Sequence, residues 1–151
     1  MENVQLFHGD CLEVMNKLID EGIKVDCIIT DPPFGTTGYK WDSVIPFEEM
    51  WKRLNKIVKK RGAIVLFGVE PFSSALRMSN VKNFKYDWIW EKPQGTNFMQ
   101  VKHQPYKVHE IISVFNIHNY YPQMTKGEPY ISGKGKTGEM KSGVVEKKTN
   151  S

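Results

Sequence analysis

The sequence predicts an α/β layered fold built on a largely parallel sheet. Three observations carry this expectation. Short β-branched apolar runs alternate with apolar residues at helical spacing, the runs at 25–30 and 63–67 are nearly continuous, as parallel strands buried on both faces are, and Gly or Pro closes most segments.

Taken in order, residues 4–7 are short and apolar and end at Gly9-Asp10, which reads as a strand. Leu12, Met15, Leu18 and Ile19 then recur at helical spacing, with Gly22 at the stop. The run at 25–30 is a strand cut off by Asp31-Pro32-Pro33. Phe47, Met50, Trp51, Leu54, Ile57 and Val58 form one stripe opposite Lys52, Arg53, Lys56, Lys59 and Lys60, a helix stopped at Gly62. Residues 63–67 give another buried strand, and 71–80 a short helix opened by Pro71, where a first turn tolerates proline. Residues 86–90 and 111–115 are the last strands. In such a fold the loops at the carboxyl ends of the strands carry the chemistry.

The chain of 151 residues has the length of one ordinary domain, and its 40% hydrophobic and 25% charged content excludes collagen-like, coiled-coil and wholly disordered classes. A net charge of +4 permits nucleic-acid binding without demanding it. Cys11 and Cys27 are too few for a disulfide scaffold, which points to a reducing, cytoplasmic setting. No stretch approaches the roughly 20 apolar residues of a membrane span, so no membrane partner is expected. His8, His103, His109 and His118 show no metal-ligand spacing, and Trp41, Trp51, Trp88 and Trp90 read as core aromatics. From Met124 onward Tyr130 is the sole aromatic and six lysines face three glutamates among glycines. That composition divides the chain into a folded part, 1–123, and a basic, mobile part, 124–151.

The informative residues are Asp31-Pro32-Pro33-Phe34-Gly35, placed where a buried strand ends. A plain turn is one reading, since Asp and Pro form turns. The other begins from what two rigid prolines do beside a carboxylate. They fix the backbone and hold an acid, a carbonyl and a ring on one ledge, a clamp for a planar base bearing an amino group. Asp31 and the Pro32 carbonyl can accept both N–H bonds of such an amine while Phe34 stacks on the flat face.

On these residues the sequence resembles the N-terminal part of the amino-group DNA methyltransferases marked by D/N/S-P-P-Y/F/W. It is most similar to the beta-group, permuted enzymes of phage and restriction-modification type, in which that motif precedes the cofactor glycine motif. His8-Gly9-Asp10-Cys11-Leu12-Glu13, Ile29-Thr30-Asp31-Pro32-Pro33-Phe34-Gly35, Trp41-Asp42, Gly62-Ala63-Ile64-Val65-Leu66-Phe67-Gly68, Trp90-Glu91-Lys92-Pro93 and His109-Glu110-Ile111 follow the group's order. The resemblance implies a partial Rossmann-like fold and methyl transfer from S-adenosylmethionine to an exocyclic amine of a flipped DNA base. Asp31, where cytosine-N4 enzymes usually carry Ser, favours adenine N6. Asp31, Pro32, Pro33 and Phe34 become the catalytic set. Asp10 and Cys11, with Asp31, become cofactor residues, although a strand-to-helix turn capped by Asp10 needs no ligand. Lys92, Lys102, Lys107 and Lys126, interleaved with Phe98, Tyr106, Tyr120 and Tyr121, suit a DNA-facing surface or an ordinary solvated loop.

One element of the group's pattern is missing. Its glycine-rich cofactor loop follows the target-recognition region, and nothing after Phe115 resembles it. The chain is therefore expected to be a truncated or split half, inactive alone. The 25–30 strand, without the neighbour that bears that loop, would offer an unpaired edge to a second polypeptide or to a copy of itself. A non-catalytic DNA-binding or decoy module and an RNA or protein amine methyltransferase are the alternatives.

Overall fold

A computed structural model describes residues 4–117 and 120–125. Residues 1–120 form one compact unit, and 121–151 a second, of which 121–125 are described. Its elements are α1 (Cys11–Asp20), β1 (Val25–Thr30), α2 (Phe47–Ile57), β2 (Val58–Gly68), α3 (Phe72–Ser79), β3 (Phe84–Thr96), a 3-10 turn (Phe98–Gln100) and β4 (Lys107–Phe115).

The strands form one sheet in the order β1-β2-β4-β3. β1 and β2 are parallel, while β4 is antiparallel to both β2 and β3, so three strands share a direction and β4 is reversed. Connectivity accounts for this. The β1–β2 link crosses over through α2, as a parallel pair requires, whereas β3 and β4 are joined by a 3-10 turn and a short loop, which suffice for an antiparallel pair. The α/β class holds, with one reversed strand that helix-strand alternation did not reveal.

The core lies on one face. Met50, Trp51 and Leu54 of α2 and Phe72 and Leu76 of α3 pack on Ile64, Leu66 and Phe115 of the sheet. Trp51 stacks obliquely on Phe115, 4.8 Å between centroids, and its Nε1–H donates to Ser79 Oγ at 2.8 Å. α1 packs on α2, and Arg53 Nε–H donates to Asn16 Oδ1 at 2.9 Å to tie the two. Leu12, Met15, Leu18 and Ile19 are half-buried, and Met15 packs against the core.

Four expectations need correction. The helix read as running through Val58 to a stop at Gly62 ends at Ile57; Val58 opens β2 and Gly62 lies inside that strand, where a Cβ would come within 2.6 Å of the Asp26 carbonyl on β1. Residues 4–7 are not a strand: Leu6 is 92% exposed and Val4 and Phe7 are exposed with it. Apolar character supplies side chains for a sheet face, but a strand also needs a neighbouring backbone, and this segment has none among the described residues. β1 is not buried on both faces. It is the edge strand, with Ile28 packed against the core and Cys27 and Ile29 on the opposite face, where Ile29 is 68% exposed. Of the four tryptophans, Trp51 alone is a core residue. Trp41 lies on a loop, and Trp88 and Trp90 lie on β3, the outer strand at the far side of the sheet. Composition marks a ring as apolar without saying which face of which strand it occupies. Among the described residues no helix is long and apolar enough to cross a membrane.

Candidate active site

β1 delivers Asp31-Pro32-Pro33-Phe34 to the carboxyl end of the sheet. Pro32 is buried, Pro33 and Phe34 are half-buried, and Asp31 is exposed. The four line a cleft of about 300 Å³ together with Thr36, Thr37, Trp41 and Asp42. The Phe34 ring leans on Phe72 of α3, with centroids 5.2 Å apart and planes at 43°. Phe72 in turn meets Phe47 of α2 at 5.8 Å. The motif's aromatic residue thus rests on α3, whose Phe72 is itself backed by Phe47 of α2, while it lines the cleft.

The loop after the motif is fastened by one carboxylate. Asp42 is 7% exposed and accepts from the Gly35 amide at 2.9 Å, the Thr36 amide at 2.9 Å, the Thr37 amide at 2.7 Å and the Thr37 hydroxyl at 2.8 Å. The Thr37 hydroxyl, then the Gly35 amide and the other two, hold its carboxyl down to about 2, from an ordinary 3.8. Gly35 has φ +69° and a Cβ built there would lie 2.8 Å from Val44 Cγ2, so the turn out of the motif requires glycine on two counts.

Electrostatics distinguish Asp31 from Asp42. Partial desolvation first, then the Glu110 carboxylate, raise the Asp31 carboxyl above 3.8, and Lys92 pulls it the other way. Lys92 Nζ and Glu110 Oε1 form an ion pair at 2.6 Å, with side chains 20% and 14% exposed. Lys92 therefore does not stand free to meet a phosphate. It is paired across β3 and β4, within electrostatic reach of Asp31. Lys102 is exposed in the loop after the 3-10 turn, and Lys107 is half-buried at the start of β4, its amide donating to Asn97 Oδ1. Lys126 lies outside the described residues.

Asp10 caps α1. Its Oδ1 accepts from the amides of Leu12 at 2.9 Å and Glu13 at 3.2 Å. This fulfils the cap reading and leaves the Cys11 amide, at the exposed start of the helix, with no acceptor among the described residues. A carboxylate beside a free first-turn amide is a donor-acceptor set matched to the amino group and a ring nitrogen of an adenine. Asp10 and Cys11 do not line the cleft. Cys11 and Cys27 are both free thiols.

Sequence reasoning missed the anchoring role of Asp42, the pairing of Lys92 with Glu110, and the exposure of Trp41. For Asp42 a signal existed: a lone acid after Gly-Thr-Thr can accept from successive loop amides. For the Lys92–Glu110 pair, 18 residues apart in sequence, the strand register had to be known.

The profile of a family described as RNA cap guanine-N2 methyltransferase matches residues 1–120. The chain belongs to this family. Among solved structures, this methyltransferase chain is similar to M1.HpyAVI in complex with SAM, with TM-score 0.61 and 22% identity over 85% of this chain and 62% of that one. A second structure of M1.HpyAVI gives TM-score 0.58 at 22% identity over 85% and 64%. The PvuII DNA methyltransferase, cytosine-N4-specific, gives 0.51 at 15% over 72% and 47%. These likenesses establish the α/β fold of S-adenosylmethionine-dependent methyltransferases, and the chain spans less than two thirds of each of these proteins. No curated protein matches it.

Proposed function

We propose that this chain carries the base-binding and amine-orienting part of an S-adenosylmethionine-dependent DNA methyltransferase acting on adenine N6. The observation that supports it is the cleft at the end of β1, where Asp31, Pro32, Pro33 and Phe34 converge on a loop fixed by Asp42. An exocyclic amine conjugated to its ring is a poor nucleophile. Asp31 and the Pro32 carbonyl accept its two N–H bonds and favour a pyramidal nitrogen, and Phe34, braced by Phe72, fixes the plane of the base. When bound, S-adenosylmethionine supplies an electrophilic methyl carried on a sulfonium. Asp10 and the Cys11 amide are the residues that would hold its adenine.

Adenine N6, cytosine N4 and guanine N2 are all exocyclic amines on planar rings, so one clamp serves the chemistry of this family and of the DNA enzymes whose fold it shares. Guanine N2 in capped RNA is the second reading, favoured by the family's description. In our reading the chain is of the beta-group, permuted type, works in a reducing, cytoplasmic setting, and needs a polypeptide segment with a glycine-rich cofactor loop seated along the free edge of β1.

The test is methyl incorporation from labelled S-adenosylmethionine, with the purified chain alone and co-expressed with a glycine-loop polypeptide. Unmethylated DNA and capped RNA are the acceptors. Label in DNA as N6-methyladenine, dependent on the second polypeptide and lost in Asp31→Ala, is the expected result. Label in capped RNA alone moves the substrate to guanine N2, and no label in either acceptor overturns the proposal.

A further inference from the structure

We propose that Trp41, backed by Tyr39, is a nucleobase-stacking lip at the mouth of the Asp31–Phe34 cleft, a role that rests on the base-methylating reading and extends it to an unpaired nucleotide at the entrance. Trp41 and Tyr39 are 71% and 67% exposed. They are not left over from the core, because they stack on each other, with centroids 5.7 Å apart and planes at 12°. Tyr39 covers one side of the indole, and Trp41 also lines the cleft with Asp31 and Phe34.

The lip is built in advance of any ligand. The Asp42 amide donates to the Tyr39 carbonyl at 3.0 Å, closing the turn that carries both rings, and the Asp42 side chain is fixed by its four bonds to the Gly35–Thr37 loop. Ser43 Oγ donates to the Lys40 carbonyl at 3.1 Å on the same turn. Little conformational freedom is left to lose on binding, which is what makes a rigid aromatic surface effective. Lys40, exposed between the two rings in sequence, adds a cation for the phosphate of the nucleotide whose base is stacked. An aromatic-cation-aromatic turn takes any base through its π-face, without hydrogen-bond readout, so the ligand class is a single-stranded or flipped-out nucleotide.

The experiment measures binding of a labelled ten-residue oligo(dA), and of oligo(A) RNA of the same length, to the full chain at fixed salt, together with quenching of intrinsic tryptophan fluorescence. Trp41→Ala and Trp41→Leu are expected to weaken binding about 5- to 150-fold and to remove most of the quench, while Trp41→Phe keeps most of the affinity. Leu preserves bulk without a π-face, so it serves if the Ala variant unfolds. Similar losses for DNA and RNA are expected of stacking, and a loss confined to one assigns the strand to that polymer. Wild-type affinity in folded Trp41→Leu overturns the lip. Asp31→Ala tests the underlying clamp separately. It should abolish any preference for oligo(dA) over an oligomer of purine, which lacks the amine, and leave the Trp41 quench intact. A preference that survives in Asp31→Ala contradicts the clamp and not the lip.

Discussion

Phe72 is the buried residue on which the motif's aromatic ring rests, and its replacement by leucine makes the dependence measurable. The Phe72 ring contacts Phe34 at 5.2 Å and Phe47 at 5.8 Å. Each such pair contributes about 0.5–1.5 kcal/mol beyond area burial. Phe72→Leu keeps an apolar side chain in place and loses both ring pairs, so a destabilisation of about 1–3 kcal/mol is expected. Urea unfolding of wild type, Phe72→Leu, Phe34→Leu and the double variant isolates the single contact, for which the expected coupling is about 0.5–1.5 kcal/mol. A coupling within about 0.3 kcal/mol of zero is what independent sites show. It would mean that α3 does not brace the Phe34 ring, and that the route from core packing to cleft geometry is wrong.

Further outcomes follow from the same geometry. Asp42 is held at about 2, below the ordinary 3.8, so its contribution to stability is complete above about pH 4 and is lost as pH falls through 2. The melting temperatures of wild type and Asp42→Asn should therefore differ at pH 5 and converge toward pH 2, and a gap independent of pH would contradict the anchoring role. For Asp31, Glu110→Gln should lower the carboxyl titration midpoint and Lys92→Ala should raise it, read by NMR of the side-chain carbonyl; no movement in either would separate the ion pair from the site. Leu76 is completely buried on α3, and Leu76→Ala should cost about 2–5 kcal/mol in urea unfolding; a value under 1 kcal/mol would place α3 outside the cooperative core.

Much of the fold was legible because its signals are local. The apolar stripe that starts at Phe47, the stop at Gly22 and the proline-ended strand at 25–30 each declare their element within a dozen residues, and each element is present, although α2 gives way to β2 at Val58 and not at Gly62. What failed was non-local. The exposure of residues 4–7, the edge position of β1 and the outward rings of Trp88 and Trp90 depend on which backbone lies beside which, and one chain's hydrophobic period does not encode that. The site divides in the same way. Asp31, Pro32, Pro33 and Phe34 were readable as a rigid ledge. The carboxylate that fastens the next loop, the ion pair that acts on Asp31 and the aromatic lip became visible when register and turns brought Asp42, Glu110, Lys92 and Trp41 to it.

The central claim is that the Asp31 carboxylate orients an amine for methyl transfer. The most direct measurement compares methyl incorporation into unmethylated DNA by wild type, Asp31→Ala and Asp31→Asn, each supplied with the glycine-loop polypeptide and each shown to be folded. The expected result is loss of at least about 100-fold in the alanine variant, the scale of one oriented polar contact to the reacting group, with a smaller loss in Asp31→Asn, whose amide oxygen still accepts one N–H bond. Incorporation by Asp31→Ala within a few-fold of wild type would contradict it.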